Sequence, residues 1–433
     1  MQMSLTATSG LERRLEVAVP GEQVASEVES RLKQLSRTAK IKGFRPGRIP
    51  INVVRRQYGG QVHTEVVSEL MRSSFAQAVS RESLRPANDP RIEPIAIEPG
   101  SDLKYAAIFE VLPEVVVKPV DSVKLERPAA TIAESDIDAM IQSMRRQRVS
   151  YAIVERESRS GDRVIADFEG RIDGVAFAGG AGKDTPFVLG SGRAIPEFEA
   201  ALTGLAAGAS RAAPVRFPDE YGAPELAGKQ TEFSVTVNKV EEPVLPALDD
   251  AFAVDFGVHE GGMTKLREEV HKRMELEVEE AVRTRVRSQV LDALYRDNPL
   301  ELPRSLVDEQ VQELQVEMMR RMGQKDANQA PPREPFEEPA RRRVALGLLM
   351  GELIRRESLK ADRDRINERL SQVVAQYPNA DEMRRAYLQN QQAMQQIEGS
   401  VLEDQAVEWV AQRAQVTDKP VSFAELTGFG KQS

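Results

Sequence analysis

At 433 residues the chain exceeds one ordinary hydrophobic core and predicts about three domains at roughly 150 residues each. Its 41% hydrophobic and 29% charged residues exclude disorder, and 5% aromatics with a single Trp409 leave little for large aromatic cofactor sites. A net charge of -9 excludes a general nucleic-acid coat, and the absence of Cys excludes disulfides, thiolate metal sites and cysteine nucleophiles.

The opening MQMSLTATSGLERRLEVAVP has no apolar stretch of the ~7 to 15 residues a signal peptide needs, so a cytoplasmic location is expected. Leu11, Leu15, Val17 and Val19 alternate with polar neighbours up to Pro20-Gly21, which predicts a strand. From Glu22, Val24, Val28, Leu32 and Leu35 take helical spacing. After a loop at 41–50, Val62, Val66, Leu70 and Phe75 do the same. Leu103 to Val111 alternate again, so residues 1–112 read as an α+β unit. Pro113, Pro119 and Pro128 make 113–130 an extended connector. Thr131–Arg148, acidic at its start and basic at its end, reads as a helix.

Residues 150–243 are punctuated by Gly and are β-rich, with strands at Val164–Ile172 and Phe233–Val240, a hairpin turn at Asp173-Gly174 and a short helix from Pro196. Beyond Pro246 the pattern is helical, with Pro-bearing breaks at 299–303, 331–339 and 378. Leu266, Val270, Met274, Val278, Val282, Val286 and Val290 form an i, i+4 stripe on one long amphipathic helix. No run of ~20 apolar residues occurs, so no membrane partner is expected. His63, His259 and His271 are scattered without ligand spacing, and neither a metal nor a cofactor is expected. Gly179-Gly180-x-Gly182 lacks the Lys-Ser/Thr ending and the strand-to-helix setting of a phosphate-binding loop.

Between Arg31 and Gly60 stand Arg31, Lys33, Arg37, Lys40, Lys42, Arg45, Arg48, Arg55 and Arg56, with no Asp or Glu. Such a run is either a solvated helix face or a surface for a polyanion. Gly43-Phe44-Arg45-Pro46-Gly47-Arg48-Ile49-Pro50 sits between the two helices, where Gly and Pro shape a tight loop that lifts an aromatic and an Arg. That pairing is over-represented at interface hot spots. This segment resembles the ribosome-binding signature of the trigger factor family, bacterial ribosome-associated chaperones with a built-in prolyl isomerase. The resemblance runs on through Ile51–Tyr58 to Met71. It implies that Gly43, Phe44, Arg45, Pro46, Gly47 and Arg48 dock on the large ribosomal subunit near the exit tunnel, against a rim ribosomal protein and rRNA. Pro46 stands where family members commonly have Lys.

The strings Val164-Ile165-Ala166-Asp167-Phe168-Glu169-Gly170, Asp173-Gly174, Phe187-Val188-Leu189-Gly190-Ser191-Gly192, Ile195-Pro196-Glu197-Phe198-Glu199 and Phe217-Pro218-x-x-Tyr221-Gly222 resemble the FKBP-type prolyl isomerases. By that resemblance a curved sheet wraps a short helix, and Phe168, Phe177, Ile195, Phe198, Tyr221 and Phe233 line the catalytic pocket. Each ring taken alone fits the core of a small β domain better than a pocket, and it is the ordered set that favours a pocket. Glu197 replaces a Gly usual in simpler members, and Ala176 and Ala178 flank Phe177 where acidic residues are common.

Arg341–Leu349 and Gln405-Ala406-Val407-Glu408 resemble the trigger factor chaperone domain, where Met318, Met319, Met322 and Met350 suit either a core or an adaptable binding surface. The expected fold is multidomain α+β: an α+β ribosome-binding domain (1–112), a linker and helix packing with the C-terminal domain (113–149), an FKBP-like β-rich isomerase domain (150–246) and an extended all-α chaperone domain (247–433). The resemblance implies an ATP-independent chaperone and peptidyl-prolyl cis-trans isomerase whose partners are the ribosome and nascent unfolded polypeptides, with homodimerisation off the ribosome. A stand-alone isomerase, a periplasmic carrier and an RNA-binding factor remain as other readings.

Overall fold

The computed structural model describes residues 2–39, 44, 49–223, 225–324 and 331–430. The chain divides into two compact units, Met1–Arg127 with Thr284–Asp418 and Pro128–Arg283 with Lys419–Ser433.

The first unit opens with β1 (Gln2–Ser9), β2 (Glu12–Val19), α1 (Gly21–Thr38), α2 (Ile51–Arg81), β3 (Arg91–Ala96) and β4 (Leu103–Glu110). The strands form an antiparallel sheet in the order β1-β2-β4-β3, with Leu15 opposite Ala107, Val17 opposite Tyr105 and Val19 opposite Leu103. Period-two patterning sends these side chains into one buried cluster with Leu32 of α1 and Val54, Val62, Val66 and Leu70 of α2. Phe75 stands edge-on to Phe109 at 5.1 Å, and the Tyr105 hydroxyl donates to the Met71 carbonyl at 3.0 Å. Strand β1 is absent from the expected elements because it is an edge strand exposed along most of its length, and Met3 alone, half-buried against the core, makes no alternating pattern.

The connector is more than an extended link. Its end is β5 (Lys124–Thr131), with Pro128 inside the strand, and its middle is a core element described below. Then come α3 (Glu134–Gln147), β6 (Ser150–Ile153), β7 (Arg163–Ile172), β8 (Val175–Val188), α4 (Pro196–Leu202), β9 (Ser210–Arg216), β10 (Gln230–Val244) and α5 (Asp250–Asp255). Strands β6, β10, β7 and β8 are neighbours in that order in an antiparallel sheet, and β9 joins β10. The Asp173-Gly174 turn joins β7 to β8 with φ of 49° and 83°, the positive pair that a type I′ hairpin requires. Pro196 takes the first helical position of α4, where its missing N–H costs nothing.

The expected apolar stripe lies on α6 (Gly262–Asp297), where Leu266, Val270 and Met274 bury Ile137 and Ile141 of α3 and Phe252 of α5. Farther along α6, Val290 and Leu294 join a core of the first unit. They meet α8 (Glu334–Arg356) and α11 (Gln391–Arg413) around Val117, Val120, Val123 and Leu125 of the connector. Also in this unit are α7 (Arg304–Arg321), α9 (Arg363–Val374) and α10 (Ala380–Gln389). Pro339 does not extend the break at 331–339 but lies inside α8. It lacks only the N–H that would reach the first turn, and Ala340 beside it is buried with Val307 and Val311 of α7, so packing overrides the breaker. The last third is not wholly helical. Strand β11 (Gln415–Ser422), exposed except at Val421, pairs with β5 ahead of α12 (Phe423–Thr427).

Glu110 at the end of β4 accepts hydrogen bonds from Arg304 N at 2.9 Å, Ser305 N at 2.7 Å and Ser305 Oγ at 2.6 Å, capping α7 from 194 residues away. Burial by itself raises this carboxyl, but the three bonds outweigh it and hold the group below its ordinary 4.5. A carboxyl lowered on folding contributes stability that is present above 4.5 and is lost as pH falls through the lower folded value. Glu110→Gln is expected to weaken the cap by about 1 kcal/mol, or roughly fivefold faster amide exchange at Arg304–Val307 at pH 7. In the wild type the same loss should emerge only in acid. Exchange that is equal in the two proteins at pH 7 would refute the clasp.

Candidate functional site

Strands β7, β8 and β10 and helix α4 converge on a continuous cluster of aromatic rings. Phe168 lies 5.6 Å from Phe198 and 6.2 Å from Phe233, and Phe198 lies 5.2 Å from Phe233. Phe177 lies 6.2 Å from Phe233, and Tyr221 joins through Phe217 at 4.7 Å. Ile195, the N-cap residue of α4, packs half-buried on the same core. The six residues named from sequence thus come together, at three levels of burial. Phe198 and Phe233 are buried, Phe168, Phe177 and Ile195 are half-buried, and Tyr221 is 40% exposed. Two rings were missed, Phe187 at 5.1 Å from Phe198 and Phe217 at 6.1 Å from Phe177. Both lie in the FKBP-like strings, and the apolar runs around them were the available signal.

The glycines of β7 and β8 explain how so many rings fit. Phe168 is the cross-strand partner of Gly182, and Phe233 of Gly170. A Cβ on Gly182 would come within 2.5 Å of the Phe168 ring. One on Gly170 would come within 2.7 Å of Phe233, and one on Gly180 within 2.7 Å of Phe177. These glycines are seats for aromatic faces, rather than the turn punctuation their spacing suggests. Glu197 and Ala176 are exposed, and the side chain of Ala178 lies outside the described set.

The loop ahead of β7 is pinned beneath α4. Asp162, almost fully buried, accepts from Arg156 at 2.6 and 2.9 Å and from Arg159 N at 3.0 Å. The Arg156 guanidinium holds this carboxyl below its ordinary range despite burial. Ser158 Oγ donates to the Leu202 carbonyl at 2.6 Å, tying the loop to the end of α4.

Of the loop between α1 and α2, Phe44 is described and is 40% exposed. Gly43, Arg45, Pro46, Gly47 and Arg48 lie outside the described residues. The basic surface is smaller than a count along the chain suggests. Glu69 of α2 pairs with Arg31, and Glu29 pairs with Lys33 at 2.8 Å. Arg37, Arg55 and Arg56 have no ion-pair partner among the described residues. In the helical part Val316, Met318 and Met322 of the α7 region are exposed, an apolar stretch between charged neighbours.

Among the described residues no group of three or more His, Cys, Asp and Glu could hold a metal ion, and no helix is long and apolar enough to cross a membrane. Residues 1–144 match the profile of the bacterial trigger factor protein, 262–412 that of its C-terminus, and 154–240 that of FKBP-type peptidyl-prolyl cis-trans isomerases. The trigger factor of Alkalilimnicola ehrlichii is 46% identical over 429 residues, covering 98% of this chain and 95% of that one. That of Thioalkalivibrio sulfidiphilus is 42% identical over 426 residues, covering 98% of each. A solved trigger factor chaperone, described for promiscuous substrate recognition in folding and assembly, superposes with a TM-score of 0.51 at 16% identity, covering 95% of this chain and 99% of that one. A fold shared end to end, an aromatic cluster in the FKBP-like segment and relatives matched over nearly their full length lead to one conclusion: this chain belongs to the trigger factor family.

Proposed function

We propose that this chain is an ATP-independent, ribosome-associated chaperone that meets nascent polypeptides at the exit tunnel and catalyses peptidyl-prolyl cis-trans isomerisation. The observation that carries the reading is the glycine-seated aromatic cluster within a chain of this family. Residues 1–112 serve as ribosome-binding domain, 150–246 as isomerase and 247–433 with 113–149 as chaperone body. The dock is the loop around Phe44, with Gly43, Arg45, Pro46, Gly47 and Arg48, on a rim ribosomal protein and neighbouring rRNA. The protein works in the cytoplasm and pairs as a homodimer when off the ribosome.

Rotation about an X-Pro bond loses amide resonance against a barrier of ~18 to 20 kcal/mol, which needs no nucleophile, metal or base. Phe168, Phe177 and Ile195 around the floor of Phe198 and Phe233 desolvate the imide and so disfavour its charge-separated planar form. The Tyr221 hydroxyl has no hydrogen-bond partner among the described residues and is the proposed donor to the twisted state. Uncatalysed isomerisation takes tens to hundreds of seconds while synthesis adds ~5 to 20 residues per second, so an isomerase at the tunnel acts where the delay arises.

Two clients separate this reading from a stand-alone isomerase. Refolding of a proline-limited client should accelerate, and aggregation of an unfolded proline-free client should also fall, both without ATP. Indifference to the proline-free client would leave only an isomerase.

A further inference from the structure

Helix α4 has seven residues, too few to be stable alone, yet it carries one side of the aromatic cluster. Ile195 caps its start and Phe198 stands in its first turn, whereas Phe168 belongs to β7 and Phe233 to β10. The shape of the proposed pocket therefore depends on how a short helix is set against a sheet. Buried Phe198, Ala201 and Leu202 press α4 onto the core. Apolar burial is non-directional and holds the helix down without selecting one position on the sheet. Hydrogen bonds, being directional, select it.

The last four carbonyls of a helix have no partner within it. In α4 every one is taken. The Glu199 carbonyl accepts from Thr203 N at 3.1 Å and Thr203 Oγ1 at 2.8 Å, and the Leu202 carbonyl from Ser158 Oγ. A single atom covers the remainder: Arg211 Nη1 donates to the carbonyls of Thr203 at 2.9 Å, Ala201 at 3.1 Å and Ala200 at 3.4 Å. Arg211 lies on β9 opposite Val235 of β10, so its side chain ties the helix that carries Phe198 to the strand pair that carries Phe233. Its guanidinium has no carboxylate partner among the described residues, and its charge stands at the negative end of the helix dipole. Nearer the start of α4, Glu199 Oε2 accepts from Gly190 N at 2.9 Å and restrains the segment that leads from β8 into Ile195.

We infer that Arg211 is a positioning residue of the isomerase: by gripping the C-terminal carbonyls of α4 it fixes Ile195 and Phe198 against Phe168 and Phe233 at the spacing the twisted imide requires. It acts through the helix and not on the substrate. The role rests on the isomerase reading of the aromatic cluster. A misplacement of about 1 Å in such a site can cost about a hundredfold in rate. Ser158 and the buried face of α4 still hold the helix when Arg211 is replaced, so part of that loss is expected.

The test uses the full chain and a short Leu-Pro-Phe peptide, with kcat and KM read separately. Arg211→Met keeps the aliphatic stem and removes the donors. Its kcat should fall about tenfold with KM within about twofold, because the apolar area that holds the proline ring is kept while the apposition that favours the twisted state is lost. Amide exchange at residues 198–203 should quicken about tenfold while that of β10 is unchanged, which separates a shifted helix from a destabilised domain. Arg211→Lys returns a charged donor to the helix end and should recover at least half of the lost activity. Full kcat in Arg211→Met, equal quickening of exchange in β10, or no recovery by Arg211→Lys would overturn the role while leaving the isomerase in place. A wild type that does not speed the peptide would remove both.

Discussion

Replacing Phe44 and Arg45 together by alanine is expected to remove co-sedimentation with 70S ribosomes, a weakening of a hundredfold or more. Phe44 is exposed on a chain otherwise sparing with aromatics, and an aromatic beside an Arg has the composition of an interface hot spot. Two such residues at about 2 kcal/mol each supply roughly a thousandfold in affinity. With Arg31 and Lys33 partly neutralised by Glu69 and Glu29, the proposed phosphate contacts would fall to Arg37, Arg55, Arg56 and the loop's own basic residues. If three of these residues reach phosphates, binding should be roughly 20- to 40-fold weaker at 200 than at 50 mM salt. Retained binding by the double variant would move the dock elsewhere. Equal binding to naked rRNA and to ribosomes would favour a plain RNA-binding factor.

Gly182→Ala is expected to lower kcat/KM on an X-Pro peptide by about a hundredfold. The added methyl falls within 2.5 Å of the Phe168 ring, so either that ring leaves the proposed pocket wall or strand β8 shifts. Overpacking of this kind costs about 1 to 3 kcal/mol of stability, so thermal unfolding is read alongside the kinetics. Tyr221→Phe is the contrasting variant. Its ring keeps the stacking against Phe217 while the hydroxyl is lost, and kcat should fall about tenfold with KM unchanged. Full activity in Gly182→Ala would mean that Phe168 is core and not a substrate wall. Aggregation suppression of a proline-free client should be indifferent to both variants.

What the sequence made legible follows the range of the interaction responsible. The Asp173-Gly174 turn, the Pro196 helix start and the alternation in β2 and β4 are local signals, and each appears where its residues place it. The edge strands β1 and β11 carry no buried face, so no periodicity announces them. The glycine seats depend on which ring arrives from a neighbouring strand. The pairing of Arg31 with Glu69 depends on α1 lying against α2, and the capping of α7 by Glu110 joins residues 194 apart. Phe187 and Phe217 were missed for the same reason: whether a strand aromatic points into a pocket is fixed by register, and register is set by partners far along the chain.

The strand that brings the chain into the isomerase segment, β6, is the hydrogen-bonded neighbour of the strand that takes it out, with Ser150 opposite Val244 and Ile153 opposite Glu241. Antiparallel neighbours of this kind sit about 5 Å apart, so nearly a hundred residues leave and return at one point. Tension between the flanking segments would load that junction as an unzipping geometry, in which hydrogen bonds break one at a time from the Ser150–Val244 end rather than together in shear. The segment is thus mechanically soft where it joins its host: a chain under pull would give way there first, with the sheet beyond peeled in sequence.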